Sequence, residues 1–71
     1  MSIKKIQDEP HPVWEAPDEV NPNEVIDFLQ GEGLPESMSF SYQGNLTVFR
    51  TKSERIQWTF GFQAGLVHHV R

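Results

Sequence analysis

Cysteine is missing from this 71-residue chain. Its absence excludes disulfide staples, thiolate metal ligands and cysteine nucleophiles together. Long apolar runs are missing as well. No stretch approaches the ~20 residues of a membrane-spanning helix, and Lys4 and Lys5 near the start are not followed by an apolar run of signal-peptide length. The expected compartment is therefore the cytoplasm, with no membrane partner. Repeats and low-complexity tracts are also lacking. Gly31, Gly33 and Gly44 match neither a phosphate-binding loop nor a dinucleotide fingerprint. A chain this short makes one domain at most and buries only about 60% of its unfolded surface. Without disulfides or a metal, dense aromatic packing is the remaining way to stabilise it. Two Trp, five Phe and one Tyr are available, and most of them lie between Phe40 and Phe62.

The net charge of −4 is unevenly spread. Residues 1–36 hold nine carboxylates against Lys4 and Lys5, whereas residues 37–71 hold Arg50, Lys52, Arg55 and Arg71 against Glu54 alone. An acidic first half is thus joined to a mildly basic second half. Within the first half, Pro10, Pro12 and Pro17 stand among acids, a composition that disfavours helix and central strand because proline lacks a backbone donor. Residues 1–20 are expected to form an extended or disordered acidic arm. Val13 and Trp14 are the apolar pair within it, and Trp14 is either tucked against its own core or offered to a partner.

A single folded unit is expected over residues 21–71, beginning with a strong helix start. Asn21 can cap, Pro22 suits the first helical position, Glu24 has capping-box spacing, and Val20 with Val25 has the spacing of a hydrophobic staple. Gly31 suits a left-handed position just past the end. These signals predict a helix over about residues 22–30 with Val25, Ile26, Phe28 and Leu29 on its apolar face.

From Ser37 the apolar period becomes two. Met38, Phe40 and Tyr42, then Leu46 and Val48, then Ile56, Trp58, Phe60 and Phe62 alternate with polar or small residues. Strands are predicted over about 37–43, 46–52, 56–62 and 66–70, with three-residue hairpin loops at Gln43–Asn45 and Gln63–Gly65. The first loop pairs Tyr42 with Leu46 and Phe40 with Val48, which puts Leu46 and Val48 in the core and Phe49 on the surface, while the alternation of Ile56, Trp58, Phe60 and Phe62 puts Trp58 in the core. The expected fold is α+β: one short N-terminal helix packed on a three- to four-stranded antiparallel meander, preceded by the acidic, proline-rich arm.

No catalytic or metal-binding constellation is visible in this pattern. His68 and His69 would point to opposite faces of a strand, and His11 lies far away in the arm, so no set of ligands converges. Ser37, Ser39 and Ser41 have the spacing of a solvated strand face, with no histidine placed by the sequence to activate one. No enzyme activity and no cofactor are expected. One short helix leaves apolar sheet uncovered, which points to a small adaptor or regulator that binds another protein or itself, with Trp14, Phe49, Val67, His69 and Arg71 as candidate contacts. The alternative is single-stranded nucleic acid on the open sheet, through Phe49, Arg50, Lys52, Arg55, His69 and Arg71. The overall negative charge weakens that alternative.

Overall fold

Prolines punctuate the first twenty residues without dissolving them. In the computed structural model, which describes residues 3–69 and side chains as far as Leu66, Pro10 lies between two strands, Pro12 immediately before the second and Pro17 immediately after it. The elements run β1 (Lys4–Gln7), β2 (Val13–Ala16), α1 (Pro22–Leu29), β3 (Met38–Tyr42), β4 (Asn45–Phe49) and α2 (Lys52–His69). The segment read as an arm is therefore a β-hairpin. Proline is excluded from the interior of a central strand but not from its boundaries or turns, and here Pro12 and Pro17 flank β2 while Pro10 lies in the turn before it.

The four strands form one sheet in the order β1-β2-β3-β4. β1 pairs with β2 and β3 with β4 antiparallel, whereas β2 and β3 run parallel, with Trp14 opposite Phe40 and Ala16 opposite Tyr42. The expected antiparallel meander is thus corrected to a mixed sheet. Parallel neighbours cannot be joined by a tight turn, and the crossover from Ala16 to Met38 carries α1.

The capping signal at Asn21 is used as its chemistry suggests. The Asn21 carboxamide oxygen accepts from the Asn23 amide at 2.8 Å, and Pro22 opens the helix. At the other end Gln30 caps and the Gly31 amide donates to the Phe28 carbonyl; the left-handed glycine stands two residues later, at Gly33 with φ 89°.

The β3–β4 turn is shorter than the expected three-residue loop. Gln43 and Gly44, with φ of 52° and 80°, form the turn alone, so Tyr42 faces Asn45, Phe40 faces Thr47 and Met38 faces Phe49. Positive φ at both central positions matches the right-handed twist of a two-residue hairpin. This register differs by one residue from the predicted one, and every side chain of β4 consequently changes face. Phe49 is buried at 2% exposure, while Leu46 and Val48 are 65% and 56% exposed.

The largest correction concerns the segments 56–62 and 66–70, predicted as strands: residues 56–62 and 66–69 are found within the eighteen-residue helix α2, and Val70 lies outside the described residues. Alternation of Ile56, Trp58, Phe60 and Phe62 suggested a strand, but the side chains that turn inward are Arg55, Trp58, Thr59 and Phe62, at helical spacing. Phe60 is left 59% exposed. A short apolar run cannot by itself distinguish the two periods.

Both helices cover one face of the sheet. Ring contacts run continuously across it: Trp14–Phe28 at 6.1 Å, Phe28–Phe40 at 5.9 Å, Phe40–Tyr42 at 6.5 Å, Tyr42–Phe62 at 6.4 Å, Phe62–Trp58 at 4.8 Å and Trp58–Phe49 at 5.7 Å between centroids. Offset and edge-on ring pairs of this kind add stability beyond area burial. They join the N-terminal hairpin, α1, the β3–β4 hairpin and α2 into one core with Ala16, Val25, Leu29 and Met38.

Between α1 and α2 the contact is polar. Arg55, only 1% exposed, reaches from α2 to the end of α1, where Nη1 donates to the Leu29 carbonyl and, at 3.5 Å, to that of Gly31. Helix C-termini leave carbonyls unpaired and carry partial negative charge, so a guanidinium there satisfies both needs. One turn further on, the Gln30 side-chain Nε2 donates to the fully buried Thr59 hydroxyl at 3.0 Å.

Candidate functional site

The residues singled out from the sequence do not assemble into one surface. Trp14 projects from β2 toward α1, half-buried beside Phe28, with the Lys5 ammonium 5.0 Å from its ring centre. Phe49 lies in the core against Trp58, so its proposed surface role is corrected by the hairpin register. Arg55 is buried at the helix junction and cannot reach a phosphate. Arg50 is exposed at the end of β4, and Lys52 pairs with Glu32 at 3.3 Å. Val67 and His69 fall in α2 with side chains outside the described ones, and Arg71 lies outside the described residues. The cationic platform imagined for nucleic acid thus loses Phe49 and Arg55 to the interior.

One polar pair that sequence reasoning missed is His11 with Ser39, whose Nε2 and Oγ are 3.0 Å apart. The parallel pairing of β2 and β3, which brings the turn before β2 beside Ser39, could not be read from spacing. Nucleophile and base are in reach of each other, but Ser39 is only 3% exposed. The pair ties the turn to the sheet alongside the Ser39 amide's 2.9 Å bond to the Pro12 carbonyl. Among the described residues no group of three or more His, Asp or Glu side chains could hold a metal ion, and no helix is long and apolar enough to cross a membrane.

A second feature hidden by the register is the outer edge of β4, which pairs with no other strand among the described residues. Because the Ser39 amide bonds toward β2, the main-chain groups of Phe40 and its neighbours at alternate positions point toward β4. Phe40 therefore exchanges hydrogen bonds with Thr47, and the N–H and C=O groups of Leu46 and Val48 point away from the sheet. Their side chains stand on the face that carries no helix, in rows with Ser41 and Glu15 and with Ser39 and Val13. Beside this edge runs a groove of about 340 Å³ between β4 and α2, lined by Thr47, Val48, Phe49, Glu54, Gln57 and Trp58. A cleft of about 380 Å³ lies elsewhere, at α1, lined by Ile3, Val20, Glu24, Asp27 and Phe28.

The two edges of the sheet differ in how they meet solvent. β1 carries Lys4 and Lys5, and its register shifts between Lys5 and Gln7. Charge and bulges are the usual means of keeping an edge from pairing. β4 reads Asn45-Leu46-Thr47-Val48-Phe49, with no charge, no proline and no register shift. The signal that could have found this edge was the Gln43-Gly44 dipeptide, a weaker relative of the Asn-Gly hairpin turn. Comparison with protein families, with characterised proteins and with solved structures finds no match to this chain.

Proposed function

We propose that this protein is a small, non-catalytic interaction module that takes an extended segment of a protein partner as an added strand along β4. The observation that carries this reading is the contrast between the edges: β1 has lysines and a bulge, while β4 presents unpaired main-chain groups at Leu46 and Val48 with both side chains exposed. An added strand gains affinity from main-chain hydrogen bonds and specificity from alternate side chains. On β4 one set of alternate side chains would meet Leu46 and Val48, and the other would enter the groove beside Trp58. The segment that fits is therefore apolar at alternate positions and able to extend.

Selection from a library of random peptides tests this directly, using the full chain and a Val48→Pro variant checked for folding by circular dichroism. Proline removes the outward N–H of Val48 without touching the bonds to β3. Peptides of alternating pattern that bind the parent chain, protect the Leu46 and Val48 amides from hydrogen exchange and fail on Val48→Pro are the expected result. Failure to select any peptide with a chain that is monomeric at the concentration used, or equal binding to both chains, would overturn the reading.

A further inference from the structure

The free edge of β4 is self-complementary, and we infer that the strand it takes is β4 of a second copy, antiparallel, with Thr47 on the two-fold axis. This rests on strand addition at β4 as argued above and names the partner. In the register centred on Thr47, Leu46 of each copy faces Val48 of the other. Leu46 and Val48 are the residues whose main-chain groups point outward, so both N–H and both C=O groups of each copy find a partner. Moving the axis to Leu46 would draw Gly44 of the turn into the ladder. Moving it to Val48 would require the Arg50 amide, which already donates to the Glu54 carboxylate at 2.8 Å. The hydrogen-bonding pattern thus selects one register.

Side chains and charge favour the same arrangement. On the open face, Leu46 and Val48 of the two copies form two neighbouring apolar cross-strand pairs, covering side chains that are 65% and 56% exposed in the single chain. On the helix face Thr47 meets Thr47, and Asn45 meets Phe49. No charged residue lies between Asn45 and Phe49, so two copies of β4 meet without opposing like charges; β1 paired with itself would set lysine near lysine. The interface is isologous and closes after two copies. The result is one continuous sheet of twice the width, with both pairs of helices on the same side.

The chain has no cysteine, which makes single-cysteine variants a clean test. In this register the Thr47 residues form a non-hydrogen-bonded pair with Cα atoms about 4.5 Å apart, inside the range that a disulfide spans. Two Leu46 residues, or two Val48 residues, would sit diagonally at about 7–8 Å. Mild oxidation should therefore link Thr47→Cys into a dimer at least tenfold faster than Leu46→Cys or Val48→Cys. Sedimentation equilibrium of the parent chain should show a concentration-dependent dimer, lost in Val48→Lys, whose exposed position tolerates the change. A dimer that survives Val48→Lys, or equal cross-linking of all three variants, would overturn this register. A parent chain that stays monomeric at millimolar concentration while still binding library peptides at β4 would overturn self-pairing and leave the strand-addition reading intact. A monomer that binds no peptide would remove both.

Discussion

Tyr42 shows how one side chain links a strand to the crossover. Its hydroxyl donates to the Val20 carbonyl at 2.6 Å, and burial, helped by the nearby negative charge of Asp18, holds its pKa above the ordinary value of 10.0. The folded chain therefore keeps a proton that the unfolded chain releases, so Tyr42 contributes stability that is complete below pH 10.0 and is lost as the pH rises through that value toward the raised one. Tyr42→Phe should lower stability at neutral pH by about 0.5–1.5 kcal/mol. Between pH 9 and 12 its stability should fall less steeply than that of the parent, measured by urea titrations across that range. Arg55 has a comparable role at the helix junction. Arg55→Ala strips the Leu29 carbonyl of its charged donor and should cost about 1.5–3 kcal/mol, seen as a lower denaturation midpoint. Neither contact was legible in the sequence. The alternation marks Tyr42 as inward-facing, but its partner depends on the crossover, and nothing local to Arg55 marks a charge that will meet the end of another helix.

Helix starts are where local sequence and final structure agree best. α1 begins where Asn21 and Pro22 place it because a cap is satisfied within three residues and needs no distant partner. α2 carries an equivalent signal in Thr51 and Glu54. The Thr51 hydroxyl accepts from the Glu54 amide at 3.1 Å, the Glu54 carboxylate accepts from the Arg50 amide, and the Glu36 carboxylate accepts from that of Lys52 at 2.9 Å. Thr51-x-x-Glu54 has capping-box spacing and was overshadowed by the alternation that follows it. Thr51→Ala and Asn21→Ala should each lower stability by about 0.5–2 kcal/mol, read from thermal or urea midpoints. Strands depend on partners that the sequence does not name. Met38 to Tyr42 alternates clearly and was legible as a strand. β4 was legible as a strand but assigned the wrong face, because a choice of one residue in a turn sets the orientation of all that follows. The candidate site is hidden in the same way: the sequence pattern points Leu46 and Val48 inward and Phe49 outward, the reverse of their places in the structure.

Taken as a whole, the molecule places its most unpromising segment close to its centre. β2 pairs with β1 on one side and β3 on the other, and its Trp14 and Ala16 pack into the core. Deleting residues 1–20 should therefore abolish the cooperative unfolding transition rather than trim a loose cover, because β3 would lose a neighbour along its whole length; circular dichroism and amide dispersion would report the loss. Composition concealed this, since proline and acid content describe a segment's solubility and not the pairing that distant residues supply. The continuous ladder of rings gives the molecule two built-in optical probes. Trp14 stands at one end of it, packed on Phe28, and Trp58 near the other, between Phe49 and Phe62. Trp14→Phe leaves emission only from the α2 end and Trp58→Phe only from the N-terminal hairpin. If the ladder makes one cooperative unit, each variant's emission transition should coincide with its own circular-dichroism transition. Separation of the two would show that the hairpin and the last helix let go of the sheet at different times.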